Sequence, residues 1–375
     1  MDIVISNIGQ LVTPLQNAGA TTDAHGSLHI AQDVELCMHN GRIVENIPER
    51  STDRCTFVDA DGGVVIPGMI DPFWLMPRPP DWAQAEGNSR DGDGFRWMET
   101  MLHCAVTAGV TTIELKCPHL AGLQELSILG RAPRNALPRI VGCLLTTLRE
   151  GSVDPEQRLS SLVGGIIPEI RQRKTASFID IGWSAHRDFA AEARTVMRAA
   201  GGAGLRCKLH FLMPPRPADL EALIVEQNLA SIGCASYVPT EMTVSWSGAG
   251  VIPVFLPGLR GDDRQSVDTG PLRAAALPLA IASGNGLRTG APMSMWAVLS
   301  AAMEELGLTL ADALTAATLG SAMALELEHE VGSLEPGKRG DAIILGLSDY
   351  RELELAMGFP PIRGVVAGGE VVHAS

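Results

Sequence analysis

Between Pro67 and about Glu335 the chain repeats one pattern, a helical segment followed by a short apolar strand, and that alternation leaves few folds open. The helical run Arg96 to Thr107 ends at Gly109 and is followed by the β-branched Val110-Thr-Thr-Ile-Glu-Leu-Lys116. Helical Leu120 to Leu129 precedes strand Arg139 to Thr146, and helical Arg158 to Arg173 precedes Phe178 to Ile181. Helical Phe189 to Ala200 runs through Gly201-Gly202 into Arg206-Cys-Lys-Leu-His210. After helical Leu220 to Gln227 the pattern places a sixth strand near Ser236-Tyr-Val238, with Val251 to Leu256 and Ala280 to Ser283 as the seventh and eighth. Thr309 with Asp312 reads as a capping-box-like helix start.

The two ends are different in kind. Asp2 to Thr13 alternates apolar and polar residues before Pro14 and reads as edge strands with one buried face. Val34 to Ile47 is a hairpin turned at Asn40-Gly41, where both turn residues need positive φ. Near the other terminus Asp341 to Leu345 is a buried-looking strand, and Gly368-Gly369 turns a second hairpin within Ile362 to Val372. Neither end can bury a core alone, but together they make a small β-sandwich. The expected architecture is therefore α/β: residues 1–66 plus 336–375 as a composite sandwich, and 67–335 as a (β/α)8 barrel. The inserted length is near the roughly 250 residues typical of such a barrel.

Val64-Val-Ile-Pro-Gly-Met-Ile-Asp-Pro, from Val64 to Pro72, enters that barrel: a brief apolar run broken by Pro67-Gly68 and stopped by Asp71-Pro72. It resembles the first barrel strand of the amidohydrolase superfamily, in which the same grammar leads into a His-X-His pair. Other segments resemble one family within it, imidazolonepropionase: Gly109 to Lys116, Lys208-Leu-His210, Val254-Phe-Leu-Pro-Gly258, Met293-Ser-Met295, Gly307-Leu-Thr309 and Val331 to Lys338. The resemblance implies a zinc or iron ion on the C-terminal rim of the barrel, held by two histidines of strand one, one of strand five and an aspartate of strand eight. Such an ion lowers the pKa of bound water from 15.7 to about 7.

Checked position by position, the ligand set is depleted. Phe73 and Leu75 stand where the strand-one histidines belong, and Gly284, beside Asn285, stands where the aspartate belongs. His210 alone survives. The strand-six and strand-three histidines fall near Pro239 and Leu148, and the acidic residue after His210 gives way to Phe211-Leu212-Met213. One imidazole does not hold a catalytic ion against water. Loss of the ion costs on the order of 12 kcal/mol in hydroxide availability. The expectation is a protein without a metal cofactor that no longer performs the ancestral C–N hydrolysis and serves as a binding or partner protein. Two alternatives are metal-independent chemistry on a small ring or amide, and an active zinc or iron hydrolase with ligands recruited from His119, His186 and His210.

Candidate residues carry paired readings. His210 is a general base, or an inherited histidine hydrogen-bonded in an apolar rim. Lys116 is a nucleophile, base or anion binder, or the partner of Glu114 or of a neighbouring strand in a structural ion pair. His186 and Arg187 follow strand four, where barrels place function, and His119 follows Lys116; each is equally readable as solvent-exposed. Glu241 is the nearest acidic candidate for acid-base work. Arg260 and Arg288 could grip a carboxylate bidentately, with Asn285 beside them. Phe73, Trp74, Leu75, Phe211 and Met213 suggest an apolar plug.

Composition narrows the partners. A formal net charge of −14 argues against nucleic acid and anionic membranes. The seven cysteines form no Cys-X-X-Cys pair and read as small apolar residues of a reducing compartment. No 18-residue apolar run occurs, and Met1-Asp2 lacks a basic leader, so a cytoplasmic location is expected, with a small molecule as ligand; the family resemblance suggests a homodimer, which nothing in the composition shows.

Overall fold

The computed structural model describes residues 2–15, 28–48, 55–75, 93–118, 138–148, 154–183, 189–211, 223–224, 226–234, 249–258, 269–270, 272, 277–287 and 292–374, with the side chains of 93–97 set aside. At its centre is one parallel sheet of eight strands: β8 (Met69–Leu75), β9 (Val110–Pro118), β10 (Arg139–Thr147), β11 (Phe178–Gly182), β12 (Arg206–Phe211), β13 (Ser231–Cys234), β14 (Ile252–Phe255) and β15 (Ala280–Ile281). Each strand pairs with the next in sequence, as right-handed βα units require. The segment after β15 closes the ring onto β8: Gly284 N–H donates to the Phe73 carbonyl at 3.1 Å and Leu75 N–H to the Asn285 carbonyl at 2.8 Å. The result is a (β/α)8 barrel.

Strand alternation sorts the side chains. Ile113, Leu115 and Cys117 of β9, Ile179 and Ile181 of β11, and Leu209 of β12 join the large core beneath the helices. The helices in that core include α1 (Asp93–Thr107), α4 (Phe189–Gly202) and α5 (Met295–Leu306). The run from Pro155 to Arg173 comprises α2 (Pro155–Ser161), a π-helical turn at Leu162–Ile166 and α3 (Ile167–Arg173). Short α6 (Leu310–Thr315) starts with the capping box read from Thr309 and Asp312. The sixth strand begins five residues before the position read from sequence. Its register, with Ile232 opposite Leu209 and Pro253, is fixed by the two strands flanking it, whereas residues 236–238 lie outside the described residues.

Two further sheets enclose a smaller core of Ile3, Ile5, Ile8, Leu36, Met38, Ile43, Val65, Ile344 and Val366. One sheet holds β5 (Arg42–Val44), β4 (Val34–His39), β1 (Asp2–Ile8) and β6 (Cys55–Asp59), in that order. The other runs β18 (Glu370–Ala374), β17 (Ile362–Ala367), β16 (Ala342–Leu345), β7 (Val64–Pro67), β2 (Gln10–Pro14) and β3 (Leu28–Ala31). The Asp2–Thr13 segment is thus not at an edge: β1 lies between β4 and β6, and β2 between β3 and β7. Both glycine-marked hairpins form, with positive φ at Asn40 and Gly41 and at Gly368 and Gly369. The sandwich hands the chain to the barrel at Gly68. There an added Cβ would lie 2.2 Å from Thr111 Oγ1, so only glycine lets β7 run straight into β8 beside β9.

Candidate active site

Barrel-facing positions of three strands carry charge. Glu114 and Lys116 alternate on β9, Asp180 lies on β11, and Lys208 and His210 alternate on β12. All five are buried, at 5% exposure or less. They form one linear chain of ion pairs across the barrel. Lys208 Nζ stands 2.7 Å from Glu114 Oε1, and Lys116 Nζ stands 3.0 Å from Glu114 Oε2. Lys116 Nζ then donates to Asp180 Oδ2 at 2.7 Å, and Asp180 Oδ1 lies 2.9 Å from His210 Nδ1. The Glu114 contacts are close but off the hydrogen-bonding direction, so their attraction is coulombic.

Electrostatics follow from burial and neighbours. Burial opposes the Lys116 charge, but Asp180, Cys143 and Glu114 outweigh it and raise the pKa above the ordinary lysine value. Burial also works against ionised Asp180, yet Lys116 and His210 hold it well below the usual carboxylate range. For Lys208 burial wins over Glu114, and the pKa is lowered. The Cys143 thiol, 3.9 Å from Lys116, is pushed up by burial.

Phe73 enters this cluster from β8. Its ring meets His210 edge-on at 5.9 Å and lies 4.5 Å beneath the Lys116 ammonium. A bulge directs it there. Asp71 Oδ1 accepts from Phe73 N–H at 3.2 Å and from Ser283 N–H at 3.1 Å, and Ser283 Oγ donates to Asp71 Oδ2 at 2.5 Å. The pairing register shifts between Asp71 and Trp74. Burial raises Asp71 to about 6, against the Ser283 hydrogen bonds that favour its charge.

The structure brings His210 and Lys116 together through Asp180, and Glu114 serves Lys116 as an ion-pair partner. It does not form the whole plug read from sequence. Trp74 instead lines a crevice of about 140 Å³ with Met101, Cys104 and Ala105 of α1, because the bulge turns it away from the interior. Phe211 packs against Trp183 at 6.1 Å. Asn285 is a structural clamp: its Oδ1 accepts from Met293 N–H at 2.7 Å and its Nδ2 donates to the Met293 carbonyl at 3.0 Å. His119, His186, Arg187, Met213, Glu241, Arg260 and Arg288 lie outside the described residues.

Asp180 was absent from the candidates read from sequence, Lys208 entered only within a motif, and Asp71 only as a strand stop. The available signal was ionisable residues at period two in otherwise apolar strands, Glu114-X-Lys116 and Lys208-X-His210, with a single acidic residue, Asp180, in apolar β11.

Phe73, Leu75 and Gly284 offer no ligand atom, and His210, whose Nδ1 lies 2.9 Å from Asp180 Oδ1, offers a single nitrogen, Nε2. Among the described residues no group of three or more His, Cys, Asp or Glu side chains is placed to hold an ion. The ion that the resemblance implies does not fit the described residues.

The barrel with its β-sandwich is a fold shared with solved hydrolase structures. N-isopropylammelide isopropylaminohydrolase from Burkholderia multivorans superposes with a TM-score of 0.71 at 14% identity, covering 99% of this chain and 98% of that one. Ochratoxinase from A. niger gives 0.69 at 15%, covering 100% and 96%. The amidohydrolase family model matches residues 262–372. Imidazolonepropionase from Geobacillus kaustophilus is 27% identical over 97% of this chain and 96% of its own length. The enzyme of the same name from Caulobacter vibrioides is 28% identical over 94% and 98%. The chain is thus similar to the amidohydrolase family over residues 262–372 and to imidazolonepropionases over nearly its whole length.

Proposed function

We propose that this chain is an imidazolonepropionase-like barrel that has lost its metal centre and, with it, the ancestral C–N hydrolase activity. It retains the barrel mouth as a place to bind a small molecule, in a binding or partner role or for metal-independent chemistry. A cytoplasmic location goes with this reading; among the described residues no helix is long and apolar enough to cross a membrane.

The observation that supports it is the side chain at each ligand position. Phe73, Leu75 and Gly284 supply no donor, and the Phe73 ring lies edge-on to His210 at 5.9 Å and 4.5 Å from the Lys116 ammonium. Retention of His210 does not oppose this, since catalytic sites take three protein ligands and a supporting shell around them. Bare water beside one histidine lacks the acidity that an ion supplies.

The test is metal analysis of purified protein beside an assay for 4-imidazolone-5-propionate hydrolysis, with an active imidazolonepropionase as reference. The reading expects well under one equivalent of zinc or iron and no turnover above background when either ion is added. One tightly bound equivalent with turnover would instead favour a hydrolase whose ligands come from His119, His186 and His210.

A further inference from the structure

We infer that the N-terminal face of the barrel carries a second ligand site, one for a small carboxylate with an apolar body, and that Lys174 supplies its binding charge. The site lies at the opposite end of the strands from His210 and does not depend on the state of the metal-ligand positions.

A cavity of about 450 Å³ opens where β10, β11 and β12 begin, against the turn at Leu325, Glu326 and Leu327. That volume is within the range of small-molecule sites. Arg139, Lys174 and Arg206 line it, together with one carboxylate, Glu326. Arg206 gives Nε and Nη2 to Glu326 at 2.5–2.9 Å, and Arg139 gives Nη1 to Glu330 at 2.7 Å. The Lys174 ammonium has no partner among the described residues. Three cations against two carboxylates leave one positive charge at this rim, on exposed Lys174, in a chain whose net charge is −14. The backbone is strained to put it there. Lys174 caps α3 at φ 53°, a left-handed position that glycine usually takes, and Glu326 holds φ 54° on the facing turn. Such strain gathers at ligand sites. Beside Lys174, Thr175 carries a buried hydroxyl with no hydrogen-bond partner among the described residues, a group that calls for a ligand.

The lining selects the class of ligand. One unbalanced cation suits a single negative charge, and a second charge would face Glu326 with nothing left to offset it. A carboxylate accepts from the Lys174 ammonium on one oxygen and from the Thr175 hydroxyl on the other. Beyond those two donors the lining turns apolar. Ile140, Ala176 and Leu327, all half-buried, offer contact to the body of the ligand.

The experiment is a ligand-observed proton NMR titration of the full chain with benzoate, and with benzamide as its uncharged counterpart. The expected result is saturable benzoate binding in the millimolar range or tighter, with benzamide weaker by about tenfold, the worth of one charge-assisted contact. Lys174→Gln should weaken benzoate by about the same factor. If that variant does not fold, Lys174→Gly takes its place, because glycine adopts the left-handed backbone without strain. No saturable benzoate binding, equal binding of benzamide, or a benzoate affinity indifferent to loss of the Lys174 charge overturns the inference. Displacement of benzoate by an equal concentration of inorganic phosphate overturns it too, since the site would then take anions in general.

Discussion

Two buried carboxylates of opposite behaviour give the residue scale its sharpest expectations. Burial raises Asp71 from an ordinary 3.8 to about 6, so the native state binds a proton more readily than the unfolded chain between those values. Its contribution to stability therefore falls as pH rises through that window, by on the order of 3 kcal/mol, and stays lost above it. Asp180 has the reverse sign. Held below the usual range by Lys116 and His210, it stabilises the fold above the ordinary carboxylate pKa, and that stability is lost in acid. Asp71→Asn should accordingly gain stability relative to wild type between about pH 4 and pH 7, read from urea midpoints at the two values. An equal difference at both pH values would show that Asp71 does not titrate as described. Lys116→Met removes the cation shared by Glu114 and Asp180 and leaves two buried carboxylates against Lys208 alone. Breaking such a buried pair costs about 3–5 kcal/mol. Chemical denaturation at neutral pH measures it, and a loss below about 1 kcal/mol would mean that solvent reaches the pair.

At the scale of elements, the junction of β7 and β8 matters most. Gly68→Ala would drive a methyl group into Thr111 on the neighbouring strand, where both backbones are held by sheet hydrogen bonds. Overpacking of this kind costs about 1–3 kcal/mol, and Thr111→Ser combined with Gly68→Ala should recover part of it, as thermal unfolding would report. Failure of the double variant to recover would place the cost in the backbone itself. The strands and turns around this junction were legible in sequence because local chemistry sets them: Asn40-Gly41 and Gly368-Gly369 in their hairpins, Thr309 with Asp312 at its cap. Where neighbours decide, the sequence was less informative. Whether β1 and β2 lie inside a sheet depends on which strands flank them, and their alternation is the same either way. Trp74 was misplaced for a related reason. The Asp71 bulge shifts the period by one, so Ile70 packs with barrel-interior Cys143 and Phe178 while Trp74 joins the core under α1. The site was legible at His210 and at the three donorless positions, whose identity alone is informative. Asp180 escaped notice because an isolated acidic residue in an apolar strand gains meaning only when Lys116 and His210 converge on it from two other strands.

Across the whole molecule, a barrel and sandwich shared with solved hydrolases carry Phe73, Leu75 and Gly284 at the positions where the resemblance implies metal ligands. His210 has Asp180 on Nδ1, the arrangement that orients a metal-ligating imidazole, and the Phe73 ring meets it edge-on with centroids 5.9 Å apart. A barrel can keep its shape through such a change, because the core that builds it lies on the other face of each strand, in Ile113, Leu115, Ile179, Ile181 and Leu209. Function is carried by residues on the fold rather than by the fold, so likeness to hydrolases leaves the reaction open. The loss of the metal centre is tested most directly by the metal content of the protein purified without chelators and then dialysed against zinc and ferrous iron. The account predicts less than about 0.1 equivalents retained, where a three-ligand catalytic site would hold one. One equivalent retained through dialysis would contradict it.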